Sequence, residues 1–369
     1  MRAESQLRWP AYRESFSLEF IQTMRSVSAA VFVFCLILPS AAPKAEENAQ
    51  AAQLSAEIGR IDDTMPGSFG VYVKHLGESW EVRHETDRMW YLASTIKVPL
   101  AITVLRQVED GAISLEQELE LSDADFVDGS GELLWSEPGA RFTVDELLRH
   151  TIRDSDSTAT DMLIRLIGED TFNEQVREMV PKGFGPLTTI LQVRYDAWGE
   201  IHPDVRTLTN RDFIELKTVD DPEARYRMVL EKLGIEADEA AVGNSVEAFE
   251  HYYAKGINSA NLEAFGHLLE RLQRRELLND EHTDKLIGLM ESISTGDRRI
   301  KAGLPEGARF AQKTGTQIAR ACNVGILNPH LDDRAVVVTA CAEGYDGLGE
   351  AEQAFAALGA ALADVGLVQ

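Results

Sequence analysis

Cysteine, basic charge and membrane-length apolar runs are all scarce in this chain. Three cysteines in 369 residues are too few to staple a small disulfide scaffold. Cys35 lies in an N-terminal apolar stretch. Cys322 and Cys341 fall in two segments that read as neighbouring strands, and the sequence leaves open the register that decides whether they pair. There is no HExxH, no CxxC and no His/Cys/Asp/Glu group with metal-ligand spacing, so neither a metal nor a cofactor is expected. Lys and Arg number 36 against 61 Asp and Glu, for a formal net charge of −25. That imbalance argues against nucleic acid or an anionic membrane surface as a partner. It fits a soluble, self-repelling surface, and a monomer is expected. Internal repeats and low-complexity linkers are also missing.

Residues 27–38 form an apolar run too short to cross a bilayer comfortably. Arg25 precedes it and Pro39-Ser40-Ala41-Ala42 follows, so residues 25–42 read as a secretory signal, with an uncleaved anchor as the alternative. Met24 reads as the conventional start, and residues 1–23 as an upstream extension or a longer basic region. Residues 1–45 are therefore assigned to a signal region. The mature protein is expected to be exported, periplasmic or secreted, with no membrane span after cleavage.

The remainder is ordinary globular chain, 44% hydrophobic and 26% charged, and long enough for a sizeable core. Residues 46–65 predict an amphipathic helix with Leu54, Ile58 and Ile61 on one face. Residues 69–73 and 80–83 predict a hairpin. A helix is expected from about Ser94 to Glu109. Further helices are expected at 144–150, 158–167, 258–275 and 281–292. Two closing strands, 309–327 and 334–342, precede a terminal helix at 349–365. This order predicts an α/β (α+β) fold in which an antiparallel sheet is built from both chain ends and flanked by helices. One catalytic domain over 46–367 is expected, with a sheet lobe at 46–93 and 300–367. A helical lobe occupies 94–299, with an extra insertion at about 201–255 that reads equally as a lid or a passive decoration.

Three short elements carry chemistry. In Tyr91-Leu92-Ala93-Ser94-Thr95-Ile96-Lys97, residues three apart share a helical face, so the Lys97 amine can reach the Ser94 hydroxyl. A serine needs a base to become a nucleophile, and a desolvated lysine can be that base. Ser155-Asp156-Ser157 reads as a helix cap, with a Ser155 hydroxyl able to shuttle a proton to a leaving nitrogen. In Lys313-Thr314-Gly315-Thr316, Lys313 and Thr314 can hold a substrate carboxylate. The Thr316 and Ser94 amides can pair as an oxyanion hole. The ordered set is far more specific than any one of its members.

With these motifs and Thr143-Val144-Asp145-Glu146-Leu147-Leu148, the chain resembles the penicillin-recognising serine enzymes, most closely the class A β-lactamase-like branch. The resemblance covers roughly residues 50–195 and 256–367. It implies Ser94 as the acylated nucleophile, Lys97 as proton acceptor or relay and Ser155 as proton shuttle. It implies Lys313 and Thr314 as carboxylate anchors, with the Ser94 and Thr316 amides as oxyanion hole. Ser157 stands where the family usually has asparagine. The family's Glu-x-x-Leu-Asn loop motif is absent. In its place runs Leu191-Gln192-Val193-Arg194-Tyr195-Asp196-Ala197-Trp198-Gly199-Glu200, which makes Asp196 and Glu200 the nearest candidates for a deacylation base. Elsewhere, Phe126 and Trp135 read as a lip or as core, and Arg320 as solvated or as a second carboxylate contact. The expected activity is hydrolysis of a β-lactam or cell-wall-peptide-like amide bearing a carboxylate. A D,D-carboxypeptidase or esterase, and a slowly deacylating penicillin-binding sensor, are the alternatives.

Overall fold

The computed structural model describes residues 48–368; the signal-like segment lies outside the described residues. The chain opens on α1 (Ala49–Thr64), capped by the Asn48 side chain and burying Leu54, Ile58 and Ile61. Strands β1 (Ser68–His75) and β2 (Glu81–His84) follow as an antiparallel hairpin, and then β3 (Trp90–Tyr91). A 3₁₀ turn at Ala93–Ile96 leads into α2 (Lys97–Glu109), a helix buried along most of its length.

The helical section then runs through the short strands β4 (Glu118–Glu120) and β5 (Arg141–Thr143). The helices α3 (Val144–Arg153), α4 (Ser157–Ile167), α5 (Glu169–Met179) and α6 (Ile190–Trp198) come next. Helices α7 (Asn210–Lys217), α8 (Pro222–Leu233) and α9 (Ser245–Tyr253) occupy the stretch expected as an insertion. Strand β6 (Ser259–Ala260) pairs with β3, and α10 (Leu262–Gln273), α11 (Asp280–Glu291) and the short α12 (Ile300–Gly303) complete the section. The chain returns to the sheet with β7 (Phe310–Gln317), β8 (Arg320–Leu327) and β9 (Val336–Glu343), and ends on α13 (Leu348–Asp364).

The sheet has the order β2-β1-β9-β8-β7 and is antiparallel throughout. Residues from both ends of the chain therefore share it. Helices α1 and α13 pack on one face through Leu54, Ile58, Phe355, Leu358 and Leu362. A larger core around α2, α4 and α10 fills the helical side. A third apolar cluster joins α6 to α7, α8 and α9 through Val193, Trp198, Phe213, Tyr226 and Phe249, so the insertion has a core of its own.

Three expectations change. The 309–327 segment is two strands, because Ile318-Ala319 turns the chain with Ala319 at φ +48°. Nothing in that turn is glycine, asparagine or aspartate, the residues that usually mark one. The helix expected from 258 begins at Leu262. Asn258 adopts φ +49°, Ser259 and Ala260 pair with β3, and Asn261 caps the helix through its side chain. The Ser94 helix is α-helical only from Lys97. Cys322 and Cys341 lie opposite each other on β8 and β9 and form a disulfide.

Candidate active site

The sheet ends at β7, whose outer edge faces the turn that carries Ser94. Ala93 sits at φ +47°, a strained conformation of the kind found at functional turns, and it swings the chain from β3 into the 3₁₀ turn. In a 3₁₀ turn side chains three apart eclipse, which stacks Lys97 over Ser94. Lys97 Nζ lies 3.1 Å from Ser94 Oγ, 2.6 Å from the Ser155 carbonyl oxygen and 3.3 Å from Ser155 Oγ.

Ser155 is also at positive φ, +55°. It bends the chain between α3 and α4, while Asp156 caps α4 by accepting from the Ala159 N–H. The bend aims the Ser155 carbonyl at Lys97 and at Ser130, whose hydroxyl donates to it at 2.6 Å. From the sheet side, Lys313 Nζ donates to Ser155 Oγ at 2.9 Å and to the Thr314 carbonyl at 3.1 Å. Ser94, Lys97, Ser155 and Lys313 thus form one hydrogen-bonded chain from three separate parts of the sequence.

Burial sets the charges. Lys97 is wholly buried, which pulls its pKa down to about 7; Arg194 adds to the fall, and the fields of Asp156 and Asp161 oppose it. Lys313 is lowered well below its usual range by burial, then by Lys97 and Arg299. Asp161 is raised to about 6 by burial, even though it accepts from the Ile190 and Leu191 N–H groups at the start of α6. A neutral amine has two N–H groups and one lone pair. With an N–H donated to the Ser155 carbonyl, Lys97 can turn its lone pair to the Ser94 hydroxyl.

Gly315 lets the sheet edge reach the serine turn. A Cβ there would stand 2.4 Å from the Leu92 carbonyl oxygen and 3.0 Å from the Ser94 amide nitrogen. Gln317 and Arg320 close a two-residue hairpin loop, and such closing pairs are hydrogen-bonded. Alternation along the ladder then turns the Thr316 N–H away from β8, toward the open edge. Arg299 fixes this segment by donating to the Gly315 and Cys322 carbonyls at 2.9 and 2.7 Å and to the Thr316 hydroxyl. Thr314 shares a 2.7 Å hydrogen bond with Thr295.

Thr314 and Thr316 line a cleft of about 550 Å³ with Ser94 and Ser155. Lys313 is buried behind it, tied to Ser155. Ser157 faces a smaller cavity beside Ser94, close against Gly129, whose hypothetical Cβ would meet the Ser157 hydroxyl at 2.2 Å. The structure does not bring Asp196 or Glu200 to Ser94. Asp196 accepts from Gln192 and Arg206, Glu200 pairs with Lys255 and His251, and neither lines the cleft or the cavity. Phe126 is core, whereas Trp135 is 81% exposed. Arg320 is neither solvated nor in the cleft; it is buried and bridges Glu250 and Glu343.

Sequence reading missed several residues. Arg194 is buried, bound to Asp128 at 2.6 Å, and lines both the cleft and the cavity. Thr295, Arg299 and Ser130 also line the cleft. No local pattern marks Arg194 or Asp128, because their partnership spans 66 residues. The Gly129-Ser130-Gly131 triplet was the one available signal for Ser130.

A model of the beta-lactamase enzyme family matches residues 53–365. Beta-lactamase VEB-1 of Pseudomonas aeruginosa is 21% identical over 288 residues, covering 76% of this chain and 79% of the relative. Among solved structures, a beta-lactamase from Sphaerobacter thermophilus DSM 20745 superposes with a TM-score of 0.62 at 24% identity, over 86% of this chain and 98% of the other. PBP-A superposes with a TM-score of 0.63 at 18% identity, over 84% and 94%. The superpositions speak for a shared fold, and the family match spans nearly all of the described residues. The chain belongs to the beta-lactamase enzyme family.

Proposed function

We propose that the protein is an exported serine hydrolase that opens β-lactam amides through an acyl-Ser94 intermediate, with Lys97 as its base. The observation that carries this reading is the wholly buried Lys97 amine 3.1 Å from Ser94 Oγ. Lys97 takes the Ser94 proton as Oγ attacks the amide carbonyl carbon. The Ser94 and Thr316 N–H groups meet the developing oxyanion. The C–N bond breaks, and the leaving nitrogen takes a proton from Ser155 Oγ, which Lys97 replenishes. Water then attacks the ester, giving a proton to Lys97; the bond from the acyl carbon to Ser94 Oγ breaks, Lys97 returns the proton to Oγ, and the acid leaves. Thr314 and Thr316 receive the substrate carboxylate, with the Lys313 amine buried behind them and tied to Ser155. Export is part of the proposal and rests on the signal-like composition of residues 25–42, and residues 46–367 are taken as one catalytic domain. Among the described residues, no helix is long and apolar enough to cross a membrane.

A second reading, a slowly deacylating peptidase or penicillin-binding sensor, draws on the cavity beside Ser94. Its walls include Tyr91, Ile190, Val193, Arg194 and Asn258, and among the described residues no carboxylate lines it. Intact-protein mass spectrometry with benzylpenicillin and a chromogenic cephalosporin separates the readings. Continuous product without a lasting adduct marks a working lactamase. A long-lived adduct, lost in Ser94→Ala, marks the peptidase or sensor. If neither adduct nor product forms, the β-lactam reading fails.

Two further outcomes are expected. The acylation rate should rise with pH and level off above a midpoint near 7, where Lys97 becomes mostly neutral. Below the midpoint each pH unit removes about tenfold of the neutral base. A flat profile between about pH 5 and pH 9 removes Lys97 from the role. Gly315→Ala pushes a methyl against the Leu92 carbonyl and the Ser94 amide, both backbone. Acylation should fall roughly 100-fold, the cost of a displacement of about 1 Å, while the labelled residue remains Ser94 by peptide mapping.

A further inference from the structure

The chain carries a net charge of −25, yet the cleft gathers cations. Arg194, Lys217, Arg225 and Arg299 line it, against Asp128 and Glu352. Arg299 is consumed in holding β7. The other three come from α6 and from the insertion: Lys217 ends α7, and Arg225 lies in the second turn of α8. Phe213, Leu216 and Phe249 carry this wall into the cleft, and their own apolar cluster anchors it. The insertion therefore forms one side of the site.

Arg194 is bound to Asp128, and Arg225 donates to the Val219 carbonyl at 3.0 and 2.6 Å. The Lys217 amine makes no hydrogen bond or ion pair among the described residues. Its amine is held below the usual range by partial burial, then by the neighbouring Arg225 and Arg194, with Asp128 and Asp220 opposing. Three cations share this wall and repel each other, Asp128 and Asp220 offset them only in part, and Asp128 is already bound by Arg194. An anionic ligand would relieve the remaining repulsion.

We propose that Lys217 and Arg225, with Arg194 beside them, form a second anion subsite across the cleft from Thr314 and Thr316. It selects amide substrates whose acyl side chain carries a carboxylate in addition to the one held at β7. This inference rests on the acyl-serine reading above and names its substrate class, a dianion.

The test compares benzylpenicillin with its α-carboxy derivative, which differ by that one side-chain carboxylate. Second-order acylation of Ser94 is followed by mass spectrometry in the wild type, Lys217→Gln, Lys217→Arg and Lys217→Gln/Arg225→Gln. The dianion should react about tenfold faster than the monoanion, the value of one charge-assisted contact. That ratio should fall toward one in Lys217→Gln and the double variant and return in Lys217→Arg. A wild-type ratio at or below one, or a ratio that Lys217→Gln leaves unmoved, overturns the subsite. If neither penicillin acylates Ser94, the acyl-serine reading fails on its own terms. The subsite is then decided in Ser94→Ala protein by fluorescence of Trp198, which lines the cleft. Preference for N-acetylglutamate over N-acetylglutamine, abolished by adding Lys217→Gln, upholds it; equal binding refutes it.

Discussion

Lys97→Ala should give a folded protein in which Ser94 no longer acylates. General-base assistance is worth 10²–10⁴-fold. Here the same amine also replenishes the Ser155 proton, so a loss of about 10³-fold or more is expected. The fold should survive because the polar group that Lys97 satisfies has a second partner. The Ser155 carbonyl still accepts from Ser130 at 2.6 Å, and Lys313 still holds Ser155 Oγ at 2.9 Å. Removing a wholly buried amine also removes a desolvation cost, which offsets part of the lost packing. Lys97→Arg should fail to rescue, since a guanidinium does not deprotonate in this range. The measurement is labelling by a fluorescent penicillin, alongside thermal unfolding to show that the variant is intact. Normal labelling of a folded Lys97→Ala protein sinks the assignment.

In the slowly deacylating reading, Ile190→Glu should shorten the life of the acyl-enzyme by about 10²-fold or more. Ile190 is the first residue of α6 and lines the cavity beside Ser94, where a water must approach the ester. A carboxylate at this position gains from the helix N-terminus and can take a proton from that water. Asp161, bound to the Ile190 N–H at 2.7 Å, is a like charge that raises the newcomer's pKa toward a useful range. Ile190→Gln is the control for shape without basicity. The readout is the decay of the penicillin adduct after excess drug is removed. Equal lifetimes for Ile190→Glu and wild type would show that deacylation is limited by something other than a base.

Much of this site was legible because its chemistry is local. Ser94 and Lys97 are three residues apart, the Asp156 cap sits beside Ser155, and Gly315 follows Lys313-Thr314 directly. The sheet built from both ends followed from short, nearly continuous apolar segments at 68–84 and 310–343. What escaped was decided at a distance. The stretch that replaces the family's glutamate loop drew attention to its carboxylates, Asp196 and Glu200, but cations from elsewhere in the insertion claim both. The residue from that stretch that enters the cavity is Arg194, held there by Asp128 on a loop far upstream. Ala319 and Asn258 ended or divided elements through left-handed backbone angles, which composition does not announce at an alanine. The insertion read evenly as lid or decoration because its aromatic residues also serve its own core; Phe213, Leu216, Lys217, Arg225 and Phe249 together show which side meets the cleft.

The bond between Cys322 and Cys341 makes the redox history of the protein part of its chemistry. Disulfides endure in oxidising surroundings and are kept open in the cytosol. This one joins two central strands, and its Cys322 sulfur lies 3.4 Å from the Tyr91 carbonyl, on the strand that leads into the serine turn. Protein harvested from a reducing cytoplasm is thus a different chemical species beneath its own nucleophile. Rates measured on it describe the dithiol, and the oxidised form has to be prepared separately before the two are compared.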